Sequence, residues 1–214
     1  MAGRPLRADA RRNRDQILAA ARDVFVEQGA SAPLEEIARR AGTGIATLYR
    51  RFPERRALMR AVVLEVLRQT AEAIARARAE EPDAFAALAR YLHESLEIRA
   101  AAVIPALLNE IPLHDDEIER ARAEAAGPAE ELVRAAQREG TLRPDVAFGD
   151  IGPLIVRFAR PLPGLPAELD RELSHRHVDI FLDGLRARPD AREPGGPVLT
   201  LADLRAWRQP SGEG

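Results

Sequence analysis

Leu34 to Leu58, LEEIARRAGTGIATLYRRFPERRAL, constrains the fold of this chain more than any other stretch, because its apolar spacing and glycines write two short helices joined by a tight turn. Leu34, Ile37, Ala38 and Ala41 recur at helical spacing, and Gly42 stands where such a helix must stop and reverse. Leu34 to Ala41 is therefore predicted as the first helix. Thr43 and Gly44 make the turn, and Ile45 to Phe52 is a second short helix whose Leu48 and Phe52 share an inward face. Gly44, Ile45 and Ala46 keep its start small. Thr47, Tyr49, Arg50 and Arg51 spread a hydroxyl, a phenol and two guanidinium groups over its other faces. Small residues permit close approach to base edges and the polar ones supply hydrogen bonds, so this helix suits the major groove of DNA. Pro53 opens the next helix, where Arg55 and Arg56 beside the N-terminus form a phosphate-binding corner.

Charge placement supports that reading where total charge does not. The net charge is only −2, but residues 1–60 carry thirteen Arg against seven acids, a net of +6, which leaves −8 for residues 61–214. A basic head on an acidic body turns its head toward a polyanion. All 32 basic side chains are Arg and none is Lys, which reads as GC-rich coding. Aromatic residues make up 4% while Ala and Leu abound, so closely packed helices are expected rather than sheets. Cysteine is absent, which excludes disulfides, thiolate metal sites and cysteine nucleophiles and suits a reducing compartment. No run of about 18 apolar residues occurs, and MAGRPLRADARRNRD is followed by no apolar signal core. A soluble, cytoplasmic protein with no membrane partner is expected.

At 214 residues the chain can hold a small domain joined to a larger one. Arg4, Arg7, Arg11, Arg12 and Arg14 precede any apolar periodicity, so residues 1–10 are expected as a flexible basic arm, either lying on DNA or merely solubilising. Residues 11–58 form the DNA-binding head, and 59–187 a helical regulatory and dimerisation body. A long helix should run from about Pro53 to Ala79, with Leu58, Val62, Val66, Gln69 and Ala73 on one stripe until Glu81-Pro82 stops it. Asp83–Arg99 is amphipathic, Ala100–Ile111 nearly all apolar around Pro105, and Asp115–Glu139 helical with a kink or break at Gly127-Pro128. The turn Gly140–Asp145 leads to two last helices, roughly Val146–Ala159 and Pro166–Arg186. In the final one Leu169, Leu173, Ile180 and Gly184 form one face and Val178, Leu182 and Leu185 another, so more than one side calls for burial. A partner subunit or a monomer core would satisfy it. Residues 188–214 form a tail with a short helix in which Leu201, Leu204 and Trp207 share a face, either docked or disordered.

Metal and enzyme chemistry find little support. His175 and His177, two apart on a helix, point away from each other, and Asp115, Asp116 and Glu117 after His114 read as first-turn acids facing a helix dipole. No serine elbow, phosphate loop or paired-carboxylate motif is present, so no catalytic residue, cofactor or metal is assigned.

The order of these parts resembles the DNA-binding domain of the TetR family of bacterial transcriptional regulators over roughly residues 11 to 60. Ile17, Leu18, Ala20, Ala21, Phe25 and Gly29 look like its first helix, and Ile37, Ala38, Ala41 and Gly42 match its Ile-Ala-x-x-Ala-Gly signature. Thr47, Leu48, Tyr49, Phe52, Arg55 and Leu58 match the pattern that closes the domain, with Arg55 in place of the usual Lys. Pro33 and Thr43-Gly44 depart from it, removing a hydroxyl cap from each helix of the pair. The resemblance implies an all-α, two-domain homodimer that binds a double-stranded operator and is released from it by a small hydrophobic ligand. Thr47 and Arg50 would reach base edges, while Tyr49, Arg51 and Arg55 hold phosphates. The ligand would lie in the body among Leu88, Tyr91, Leu92, Leu107, Leu108, Ile111, Ile155 and Phe158, with Arg99, Asn109 or Arg157 as polar anchors. Leu169, Leu173, Ile180, Phe181 and Gly184 would meet the second subunit. The alternative is an architectural dimer that binds DNA without ligand control.

Overall fold

The computed structural model describes residues 4–108, 110–111 and 115–206, apart from the side chains of 4–8, 108 and 205. Among these residues there are ten helices and no strand; the sole bridge pairs Leu142 with Arg186. Two compact units result, one of Met1–Leu67 with Ala102–Glu119 and one of Arg68–Ala101 with Arg120–Gly214.

The first unit contains α1 (Arg4–Gln28), α2 (Leu34–Arg40), α3 (Ile45–Arg51) and the start of α4 (Arg55–Glu80). Helix α1 begins at Arg4, so residues 4–10 are not the flexible arm expected but its first turns. Pro5 sits where a missing amide costs nothing, Leu, Ala and Arg favour helix, and Arg12 bonds Asp9 one turn back. Ile17, Leu18, Ala21, Val24 and Phe25 recur with helical period and are buried, as are Leu34 and Ile37 of α2, Leu48 of α3, and Leu58, Met59, Val62 and Val63 of α4. Gly29, at φ +82°, closes α1 with its amide on the Phe25 carbonyl.

The same unit takes in most of α6 (Ala100–Leu108) and the first turn of α7 (Asp116–Arg138), which chain order had placed in the body. Val103, Leu107, Ile111 and Ile118 are buried. Arg60 donates to both Asp115 oxygens at 2.5 and 3.1 Å and to Glu117 at 2.6 Å, while Asp115 caps α7 by accepting from the amides of Glu117 and Ile118. Arg60 holds the Asp115 carboxyl below its ordinary value, chiefly through its hydrogen bond.

The second unit gathers the rest of α4 and α7 with α5 (Ala84–Ile98), α8 (Phe148–Phe158), α9 (Ala167–Leu185) and α10 (Leu201–Ala206). Asp83 caps α5 by accepting from the Ala86 amide at 2.7 Å, and Arg99 ends it in the left-handed conformation. Ile74, Leu88, Leu92, Leu132, Val133, Ile151, Ile155, Val178 and Leu182 form its core. Helix α7 runs continuously through Gly127-Pro128, so of the expected kink or break the break does not occur. Ala125, Ala129, Leu132 and Val133 keep one buried face across the proline, and that burial offsets a cost of about 3 kcal/mol.

The tail docks within this unit. The Gly149 amide donates to the Leu199 carbonyl at 2.8 Å, Leu201 is buried, and α10 packs on α8. Thr200 and Asp203 start α10 with reciprocal bonds, the Thr200 amide to the Asp203 carboxylate at 2.8 Å and the Asp203 amide to the Thr200 hydroxyl at 3.3 Å. A side chain at Gly149 would put its Cβ 2.1 Å from the Leu199 oxygen, so only glycine admits the strap this close. Trp207 lies outside the described residues. Among the described residues no helix is long and apolar enough to cross a membrane.

Candidate nucleic-acid interface

The turn between α2 and α3 is built from backbone bonds. Gly42, at φ +63°, donates to the Arg39 carbonyl at 3.2 Å and Thr43 to that of Ala38 at 3.0 Å, which together close α2 and reverse the chain. Pro33 and Gly44 are the N-caps of α2 and α3, and neither supplies a side-chain cap, in keeping with their chemistry. Asn13 of α1 donates its amide to the Thr43 hydroxyl at 3.4 Å. Sequence reasoning missed this residue, because no local pattern links positions thirty apart.

Leu48 and Phe52 point inward as their spacing predicted, so α3 turns its other residues out. Tyr49 is 46% exposed, Ala46, Arg50 and Arg51 are exposed, and Ile45 and Thr47 are half-buried beside exposed Gly44. Among the described residues the partner of Arg50 is the Thr47 hydroxyl at 3.5 Å, too long to hold it. Among the described residues Arg50 and Arg56 carry no ion pair.

The cations of α2 differ. Glu36 accepts from Arg39 at 2.8 Å twice and from Arg40 at 2.7 Å, and Arg40 also meets Glu27 at 2.6 Å. Hydrogen bonds from Arg39 and then Arg40 hold the Glu36 carboxyl down at about 2. Thus α2 pairs its own cations with carboxylates, while among the described residues Arg50 of α3 carries no ion pair and leaves its positive charge on the outward face.

Two expected phosphate contacts have other partners. Arg51 donates to the Ala10 carbonyl of α1, an acceptor that the helical start of the chain provides. Arg55 directs Nη1 at the carbonyls of Ala30 and Ala32, at 3.0 and 2.6 Å, and so staples the α1–α2 connection to α4. That staple holds the entrance of α2, where Pro33 provides no cap.

The expected ligand-site residues separate. Leu88, Leu92 and Ile155 belong to the core of the second unit, with Tyr91 and Phe158 packed against it, whereas Leu107 and Ile111 are buried in the first. Burial pushes the Tyr91 phenol up, against a smaller opposing effect of its hydrogen bond with Ser95. The side chain of Leu108 and all of Asn109 lie outside the described residues. Arg99 is the α5 C-cap and Arg157 is exposed. The second unit also has two open clefts, of 530 Å³ beside Arg143 and Arg188 and 350 Å³ beside Glu97 and His175, and none of the expected residues lines either.

On α9 the two faces separate as their pattern suggested. Val178, Leu182 and Leu185 are buried, while Ile180 is 60% and Leu169 43% exposed, with exposed Gly184 and half-buried Leu173 on the same side. Phe181 differs from the expectation by packing inward, edge-on to Phe158 at 6.0 Å. His175 meets His93 and Glu97, while His177 lies 5.9 Å from the Phe158 ring, so the two diverge as predicted. His114 lies outside the described residues.

Residues 17–62 match the family model of bacterial regulatory proteins, tetR family, and residues 81–187 match that of the SbtR-like transcriptional regulator C-terminal domain. No curated protein gives a significant match. Among solved structures, the chain is similar to the TetR transcription regulatory protein from Mycobacterium vanbaalenii, at 34% identity and a TM-score of 0.61 over 85% of this chain and 99% of that one. It is also similar to the TetR regulator SCO0520 from Streptomyces coelicolor, at 31% identity and a TM-score of 0.60 over 81% and 98%. A third is the TetR-like regulator LfrR from Mycobacterium smegmatis, solved with proflavine, at 25% identity and a TM-score of 0.56 over 80% and 96%.

Proposed function

The chain belongs to the TetR family of bacterial regulatory proteins and is a DNA-binding transcriptional regulator; from that premise we propose that it is a cytoplasmic homodimeric repressor released from its operator by a small apolar ligand. The observation that carries the reading is the outward face of α3, where Thr47, Tyr49 and Arg50, which carries no ion pair among the described residues, stand above a buried Leu48. Thr47 and Arg50 read base edges, and Gly44, Ile45 and Ala46 let the helix approach them. Tyr49 and Arg56 hold phosphates beside them.

Dimerisation answers a physical need. One short helix reads only a few bases, and two copies on half-sites about 34–36 Å apart supply the missing specificity. The exposed Leu169, Leu173, Ile180 and Gly184 of α9 are the surface proposed to pair. Ile180→Asp should convert the dimer to a monomer in sedimentation and weaken operator binding; a dimer that persists rules this face out.

The ligand class is suggested by LfrR, solved in complex with proflavine, and by the aromatic Tyr91 and Phe158 beside the apolar core of the second unit. The deciding experiment is fluorescence anisotropy against DNA flanking the gene, with random duplex as competitor, at about 150 mM salt because affinity depends steeply on it. Binding about a thousandfold tighter than to random DNA is expected. Equal affinity for both would favour an architectural role over a repressor.

A further inference from the structure

Four titratable side chains form a line across α5 and α9 that the DNA-binding role does not use. His93 and His175 have their Nδ1 atoms 2.8 Å apart. Their rings are 9° from parallel with centroids 5.1 Å apart. The centroid separation exceeds the nitrogen separation by about two ring radii, so the imidazoles meet edge to edge in nearly one plane rather than face to face. Each outer nitrogen meets a carboxylate: His93 Nε2 is 3.0 Å from Asp179 and His175 Nε2 is 2.6 Å from Glu97.

The hydrogen-bonding inventory fixes how many protons this line holds. An ionised carboxylate only accepts, so each Nε2 must carry a proton and donate it outward. Two facing Nδ1 atoms at hydrogen-bond distance need one proton between them. With none, two lone pairs oppose each other; with two, two N–H groups and two positive rings do. We propose that His93 and His175 form a proton-bridged imidazole pair, a clamp that holds α9 on α5 when the two rings share a single Nδ1 proton and loosens when that proton leaves or a second one binds.

The surroundings favour this single positive charge. From α9, Asp179 touches the pair, and Arg171, Glu172 and Arg176 line the same cleft with Glu97 and His175. From α5, Glu97 touches it, while Glu94 is occupied by Arg76 and Arg90 at 2.7 and 2.9 Å. His177 is turned toward Phe158. Helix α8, packed on both helices, brings only Asp150, which bonds its own N-cap amide at Ala147, and Arg157. The carboxylates touching the pair thus outnumber the single bridging charge, and both lie on the outer edges where they orient the rings.

The clamp joins α5 to the helix proposed above to pair with a second copy, and only that consequence rests on the proposed function. The pair itself is tested without it. Nitrogen-15 NMR of the imidazoles in the intact protein, across about pH 5 to 8 where imidazole titrates, should find both Nε2 atoms protonated and the two Nδ1 atoms sharing one proton within a bounded pH range. The thermal midpoint should peak in that range and fall on both sides. His93→Asn and His175→Asn should each remove the peak and lower the folded-to-unfolded ratio there about tenfold, the worth of one charge-assisted hydrogen bond. Two neutral Nε2–H imidazoles throughout, or a midpoint whose pH profile is the same in wild type and His175→Asn, would overturn the proposal. So would a signature that disappears with EDTA, which would assign the pair to a transition metal. A confirmed proton bridge with a pH-independent dimer would leave the clamp standing and detach it from self-association.

Discussion

Arg55→Ala, set beside Arg50→Ala, separates a staple from a groove contact. The Arg55 guanidinium is half-buried and donates one nitrogen to two carbonyls, those of Ala30 at 3.0 Å and Ala32 at 2.6 Å. A hydrogen bond from a charged donor contributes about 1.5–3 kcal/mol. Because both carbonyls share one nitrogen, the pair is worth about one such bond rather than two, so Arg55→Ala should cost about 2 kcal/mol. In a chain of this size that lowers the melting midpoint by roughly 4–8 °C. The salt dependence of operator binding should barely change, since this side chain is engaged within the protein. Arg50, which among the described residues meets only the distant Thr47 hydroxyl, should behave oppositely. Its replacement should leave melting untouched, cost about 1–3 kcal/mol of operator affinity and relax the choice of base it reads, without the loss of about 0.9 in salt slope that removing a phosphate contact brings. The assays are differential scanning fluorimetry and anisotropy titrations at several salt concentrations. An Arg55→Ala protein that melts like the wild type and loses about 0.9 per head in slope would refute the staple and return Arg55 to the phosphate backbone.

Three further outcomes follow from the same geometry. Glu36 is held at about 2 in the folded protein against an ordinary value of 4.5, so its stabilising contribution is complete above 4.5 and is lost as pH falls from there through about 2; Glu36→Gln should flatten the acid limb of the head's unfolding profile over that window, and an unchanged limb would discount the pairing with Arg39 and Arg40. Gly149→Ala places a Cβ 2.1 Å from the Leu199 oxygen and should release the tail, seen as faster tryptic cleavage at Arg188 and Arg192 with operator affinity unaltered; equal cleavage rates would mean the strap does not depend on that close approach. Arg60→Ala removes the partner that holds the Asp115 carboxyl down and should speed amide exchange at Glu117 and Ile118, the first turn of α7; exchange at the wild-type rate would leave Asp115 capping that turn unaided.

The sequence by itself determined the helix-turn-helix, because every signal for it is local. The spacing of Leu34, Ile37 and Ala38, the left-handed turn only Gly42 makes easily, and the inward pair Leu48 and Phe52 act over a few residues, and each is found where the pattern put it. Periodicity likewise separated the two faces of α9, because alternating burial is written along one helix. Tertiary structure decided what local signals do not encode. Arg55 finds its carbonyls 25 and 23 positions away, and His93 finds His175 82 positions away, so their partners depend on how whole helices pack. The proline in α7 marks a kink or a break by its local cost, yet the helix stays unbroken because the burial that offsets that cost comes from other helices. Helix α1 reaches Arg4 although apolar periodicity starts only at Ile17, since alanine and arginine carry a helix without a face to bury. Backbone preference and hydrophobic period are properties of neighbours in the chain, whereas the partner of a charged or buried polar group is chosen by whatever folding brings within about 3 Å of it.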